Sequence, residues 1–126
     1  MVVNGLRALF LVGAGGALGS VMRFAVSDIM PDSVFPWATL TVNFLGSFLL
    51  AFMFFKIVKE HRPEALSLFL FMGLLGGFTT FSAFSLETME LMIDDQWSMA
   101  IINVILNISL CLSGAFVGMS MTKDMQ

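Results

Sequence analysis

Residues 65–86 read ALSLFLFMGLLGGFTTFSAFSL, running from Ala65 to Leu86 without a charged side chain. An α-helix needs ~20 such residues to cross a hydrocarbon core ~30 Å thick, so this stretch alone predicts a transmembrane helix. Three more apolar runs of bilayer length lie at Leu6–Val26, Val34–Ile57 and Met99–Met121. Between them stand breakers: Asp28, Pro31, Asp32 and Pro36; then the charged KIVKEHRP run from Lys56 to Pro63; then Asp94, Asp95 and Gln96. The composition agrees. Of 126 residues 58% are hydrophobic and only 12% charged, with mean hydropathy +0.93, against ~45–50% and ~25% in soluble domains. The prediction is an all-α membrane protein, a single domain over residues 1–126 with four spans and no soluble module. Short connections make neighbouring spans antiparallel and leave function to the membrane-embedded part.

Several function classes fall away at once. Fourteen Phe and eleven Met exclude a disordered chain, and Cys111, the sole cysteine, has no partner for a disulfide within the chain. The net charge is −3 and the bases form no stripe, so nucleic acid is not expected as a partner. His61, the one histidine, lies in a charged loop, and no base neighbours Cys111. No nucleophile–base pair or metal cluster assembles, and the chain does not read as an enzyme. Arg7 before an apolar run resembles a secretory signal, but the small-residue cleavage context is poor and the run reads as a span. Arg7, Lys56, Lys59, Arg62 and Lys123 fall on the side of the termini and Arg23 alone towards the other, which favours cytoplasmic termini. Trp37 and Trp97 open the second and fourth spans on one side as interfacial anchors.

GAGGALGS at Gly13–Ser20 reads as a packing face, with Gly15 and Gly19 spaced as GxxxG. Gly46 and Ser47, and Ser113 and Gly114, offer close-approach points on the second and fourth spans. Four such helices enclose too little space for a pore, so homo-oligomerisation is expected. Polar residues inside the spans are costly unless paired or facing a cavity, and they form the list of functional candidates. Thr39, Thr41, Asn43 and Ser47 are on the second span; Thr79, Thr80, Ser82, Ser85, Glu87 and Thr88 on the third; Asn103, Asn107, Ser109 and Ser113 on the fourth. Asn103 and Asn107 are one turn apart and share a face. They and Asn43 read either as interhelical glue or as a polar track.

The sharpest feature is GGFTTFSAFS, Gly76–Ser85. Adjacent glycines followed by two β-branched threonines make a poor helix interior, predicting a break at Gly76–Gly77. Carbonyls freed there make Gly76–Thr80 a candidate cation site of main-chain oxygens. Phe78, Phe81 and Phe84 recur every three residues as one face, with Thr79, Ser82 and Ser85 as a hydroxyl row beside them. Aromatic rings have an electropositive edge, so Phe edges beside amide and hydroxyl donors can hold a small desolvated anion without a fixed cation to trap it.

GGALGSVMRF in the first span, TLTVNFLGSFLL in the second and GGFTTFSAFSLET in the third together closely resemble the Fluc (CrcB) fluoride channel family. The resemblance runs through all four spans. It implies an antiparallel, dual-topology homodimer in a bacterial inner membrane, with two pores along the interface that let toxic fluoride leave by passive electrodiffusion. Residue by residue, it implies that the ring edges of Phe81 and Phe84 contact fluoride, with Asn43 as the second-span pore asparagine, Ser82 as the accompanying hydroxyl and Thr80 on the same track. It implies a structural sodium ion at the dimer centre, held by the carbonyls of Gly76 and Thr79 from each subunit. Glu87 matches the motif near a pore exit, and Arg23 resembles the family's arginine after the first glycine-rich stretch. Thr39 joins them as a wider pore candidate. The family's fourth-span track often begins with tyrosine; this chain has no Tyr, and Asn103, Asn107 and Cys111 stand at those positions.

The rival reading is a small four-helix, proton-coupled exporter of drugs or cations. Such a transporter needs a protonatable carboxylate deep in the membrane, and the first two spans carry none.

Overall fold

The computed structural model describes residues 4–58 and 63–122, and all its regular structure is helical. Four helical stretches are long and apolar enough to cross a membrane: Gly5–Ile29, Trp37–Lys56, Glu64–Ile93 and Trp97–Ser120. Lys59, Arg62, Lys123 and His61, invoked above for orientation and chemistry, lie outside the described residues.

Helix ends follow local chemistry rather than hydropathy, which is why the predicted bounds shift. α1 (Gly5–Ile29) starts where Asn4 Oδ1 accepts from Arg7 N at 2.9 Å. It runs three residues past Val26 and stops at Met30, extended because Pro31 follows. α2 (Trp37–Val58) starts at Trp37 and not Val34, since Pro36 bars Phe35 from helical backbone and suits the first turn itself. Asp95 takes a left-handed φ of 57° in the turn before α6 (Trp97–Ser120), a conformation Asp tolerates. Both Trp37 and Trp97 open their helices and are exposed.

The third span departs most from expectation. It comprises α3 (Glu64–Ser67), π-helical turns over Leu68–Leu75, α4 (Gly76–Phe78) and α5 (Phe81–Ile93). It ends seven residues beyond Leu86, because Thr88 and Leu91 are buried and keep the polar end helical. Gly76 and Gly77 are helical. The two extended residues are Thr79 (φ −81°, ψ 155°) and Thr80 (φ −151°, ψ 113°). The β-branched residues thus take the extended backbone they favour, while the glycines serve packing instead.

That packing is backbone against backbone. α1 lies along Leu68–Phe78, and α2 along α6, with α5 also against α6. A Cβ at Gly15 would strike the Phe69 carbonyl and come within 2.9 Å of Leu74 N. One at Gly19 would strike the Leu74 carbonyl and lie 2.8 Å from Phe78 N. On the facing helix, a Cβ at Gly77 would stand 2.6 Å from the Gly16 carbonyl. Gly15 and Gly19 therefore form a small-residue face, as expected, and it meets a second GxxxG pair, Gly73 and Gly77. Gly118 plays the same part between α6 and α2, against Phe48 O and Phe52 N.

Gly19→Leu should therefore destabilise the fold by at least about 1–3 kcal/mol, the range for overpacking. Gly13→Leu, where a Cβ meets nothing within 4 Å, should leave stability unchanged. Equilibrium unfolding in detergent compares them, and equal stabilities would contradict this packing.

Candidate functional site

The extended pair Thr79–Thr80 would strand backbone groups inside the bilayer unless side chains took over from the helix. Asn43, about two turns into α2, does so. Thr80 N–H donates to Asn43 Oδ1 at 2.7 Å, and Asn43 Nδ2 donates back to Thr80 O at 3.0 Å. Gly46, the next turn of α2, makes room: a Cβ there would strike Thr79 Cγ2. The Thr80 hydroxyl caps α5 by accepting from Ala83 N at 3.1 Å and lies 3.1 Å from Ser82 Oγ. Thr79 Oγ1 donates to Leu75 O.

A second tier lies on α6. Asn43 Nδ2 also donates to Asn107 Oδ1 at 3.1 Å, and Asn107 Nδ2 donates to Asn103 Oδ1 at 2.9 Å and Asn103 O at 3.1 Å. Asn103 Nδ2 donates to Thr88 Oγ1 at 3.0 Å, whose own O–H donates to Phe84 O at 2.6 Å. Asn103 is 0% exposed.

Beside this network opens a cavity of about 370 Å³. Phe81, Phe84, Thr79, Thr80, Asn43 and Asn107 line it, with Ser47, Ile108, Cys111 and Leu112 completing its wall. None of these carries a fixed charge. The Phe81 and Phe84 rings pack with centroids 5.3 Å apart and planes tilted by 59°. Phe84 is 8% exposed and Phe81 77%, so one ring is seated in the protein and the other projects from it. A second cavity, of about 290 Å³, is lined by Arg23, Thr39, Glu87 and Ser20 among others, and Thr80 lines both. Thr39 Oγ1 donates to Glu87 Oε1 at 2.6 Å; Oε2 is buried with no partner among the described residues.

Residues 10–119 match the family described as CrcB-like protein, Camphor Resistance (CrcB). The chain belongs to the CrcB family. A protein of Magnetococcus marinus named fluoride-specific ion channel FluC is 42% identical over 112 residues, covering 86% of this chain and 91% of its own. A protein of the same name from Elusimicrobium minutum is 43% identical over 122 residues, 94% of this chain and 95% of its own. Another, from Nitratiruptor sp., is 39% identical over 120 residues, 93% of each. These relatives are channels and not enzymes, and the chain is an integral membrane protein without a catalytic role.

Of the residues expected at the site, the structure brings Phe81, Phe84, Asn43, Thr80, Thr79 and Asn107 around one cavity and sets Ser82 against the Thr80 hydroxyl. Thr39, Glu87 and Arg23 gather around the other. Asn103 lines neither of these cavities; it is a buried link behind Asn107. Phe78 leaves the expected Phe face: the extended residues turn it away from Phe81 and bury it near Gly46. No hydroxyl row forms either, because Thr79 and Ser85 each bond the carbonyl four residues earlier while Ser82 bonds Thr80. Gly76 is exposed and lies outside both cavities. In the sequence Thr88 is one polar residue among several, because its tie to Asn103 joins two helices and leaves no local signal.

Asn43→Asp keeps an acceptor for Thr80 N–H but sets carboxylate oxygen against Thr80 O and Asn107 Oδ1, where a donor now stands. The expected cost is about 1–3 kcal/mol. Thermal unfolding in detergent measures it, and wild-type stability would show that the amide hydrogens are dispensable.

Proposed function

We propose that the chain is a fluoride-selective channel that lets cytoplasmic fluoride leave passively across the bacterial inner membrane. The observation that carries this reading is the uncharged cavity at the interrupted third span, with the paired rings of Phe81 and Phe84 beside the Thr80 and Ser82 hydroxyls. A small, strongly hydrated anion needs partners to replace its water. Electropositive ring edges and hydroxyl hydrogens supply them without a cation deep enough to hold the ion fast. The names of the relatives support the same permeant ion.

The functional unit in this proposal is an antiparallel, dual-topology homodimer with two pores along its interface. The projecting Phe81 supports it, since the residue is 77% exposed and a second copy would cover it. Arg23, Thr39 and Glu87 extend the route beyond Thr80 in the second cavity.

A structural sodium ion at the centre of the dimer, on the carbonyls of Gly76 and Thr79, fits the residues present. In an uninterrupted helix Thr80 N–H would reach the Gly76 carbonyl, but it donates to Asn43 instead. Gly76 is exposed, so its released oxygen can meet a cation shared with a second subunit. Such an ion would supply positive charge and hold the two interrupted helices together.

Fluoride efflux from liposomes holding the purified protein, followed with a fluoride electrode and with chloride as control, tests the reading. Rapid fluoride loss without matching chloride loss is expected. Phe81→Ile and Phe84→Ile, which keep apolar bulk but remove the ring edge, should each slow efflux by about tenfold or more with the dimer intact, as losing ~1.4 kcal/mol of ion stabilisation would. Wild-type rates in both would overturn the ring-edge contact. A folded dimer that passes no fluoride but takes up cations against protons would make it the exporter instead.

A further inference from the structure

We propose that Thr88 is a positioning residue which, through Asn103 and Asn107, holds the Asn43 carboxamide in register with the extended Thr79–Thr80 segment. The direction of every amide in the chain of bonds is set by groups that cannot reverse. Thr80 N–H can only donate and Thr80 O only accept, so Asn43 has one orientation: Oδ1 to the first, Nδ2 to the second. The remaining Asn43 amide hydrogen then requires an acceptor, which fixes Asn107 Oδ1 towards it. Asn107 Nδ2 is left to donate to the Asn103 main-chain carbonyl and to Asn103 Oδ1. Asn103 Nδ2 therefore needs an acceptor on its far side, and Thr88 Oγ1 can be nothing else, because its own hydrogen goes to Phe84 O. The bonds start at the backbone of Thr80 and end at the backbone of Phe84, so they brace the same α5 turn from both ends.

Both amide hydrogens of Asn43 are consumed in this arrangement, as are both of Asn107. Neither asparagine has a hydrogen left for an ion in the adjoining cavity. Their part there is to hold Thr80 and Phe81, while the ring edges and the one hydroxyl hydrogen that the Thr80–Ser82 bond leaves over remain for the ion. Removing the Thr88 hydroxyl leaves Asn103 Nδ2 without its acceptor where water does not reach, since Asn103 is 0% exposed. Reversing the Asn103 amide gives no relief, because it sets Nδ2 against Asn107 Nδ2, donor to donor. Either outcome passes strain along Asn107 and Asn43 to Thr80.

The experiment compares Thr88→Val, which keeps the shape and loses the hydroxyl, with Thr88→Ser, which keeps the hydroxyl. Amide hydrogen exchange at Thr80 is the first readout, and fluoride efflux from liposomes the second. Thr88→Val should speed exchange at Thr80 by about tenfold, as expected when a buried hydrogen-bond chain loses one end, and slow fluoride efflux to a similar degree; Thr88→Ser should stay near wild type in both. Unchanged exchange at Thr80 in folded Thr88→Val would overturn the proposal. If Thr88→Val does not fold, Thr88→Cys, with its weak sulfur acceptor, should give faster exchange at Thr80 than Thr88→Ser, and wild-type exchange there is equally fatal. The efflux arm rests on the channel reading, whereas the exchange arm does not: a wild-type protein that passes no fluoride would end the channel reading and leave the exchange result standing.

Discussion

The structure depends on one exchange of partners, in which the Asn43 carboxamide takes the place of helical bonds at Thr80. In hydrocarbon an interrupted helix is tolerated only where protein or a polar cavity satisfies the freed groups. Asn43 has the donor and acceptor geometry of a peptide unit, so a single side chain can satisfy both Thr80 N–H and Thr80 O. From that substitution follow the release of the Gly76 carbonyl, the fresh helix start at Phe81 and the outward throw of the Phe81 ring. The Thr80 hydroxyl then caps the new helix. All of these lie between Gly76 and Ala83, which gathers the site into one small region.

An amide can act as this stand-in only if the helices are held to within a few tenths of an ångström, and the glycine faces supply that precision. Without a hydrophobic force between helices in lipid, close van der Waals contact and hydrogen bonds do the work of association. Gly15, Gly16 and Gly19 against Gly73 and Gly77 let α1 lie directly on the backbone of the third span. Gly118 lets α6 lie on α2, which brings Asn107 to Asn43. The residues with no side chain thus set the distances over which the residues with polar side chains operate.

Much of this was legible in the sequence, because hydropathy and residue size are local properties. Four spans, the GxxxG face of α1, the Trp37 and Trp97 starts and the pairing of Asn103 with Asn107 all follow from spacing along one helix. The position of the interruption differs from the expected one, because glycine propensity points to Gly76–Gly77, while the backbone yields where Asn43 can receive it, at Thr79–Thr80. That is a contact between residues 37 apart in sequence, and propensity carries no trace of it. The same limit hid Thr88 and misassigned Phe78, since a three-residue Phe spacing describes one face only if the helix is continuous. Where an asparagine sits can be read from the chain; which way its amide faces cannot, because that is decided by the groups it meets.

The distribution of charge completes the physical picture. Arg23 and Glu87 both lie in the cavity on one side of Thr80, and the cavity on the other side has none among its lining residues. A guanidinium or carboxylate next to the rings would act on an anion several times more strongly than in water, because the surrounding dielectric is lower. Neutral donors act over shorter distances and saturate. Holding the amides of Asn43 and Asn107 in bonds with one another reduces their pull further, beside a cavity that the Phe81 and Phe84 rings also line. A site of that kind can replace part of an anion's hydration shell without binding it so tightly that it stays, and conduction requires that balance.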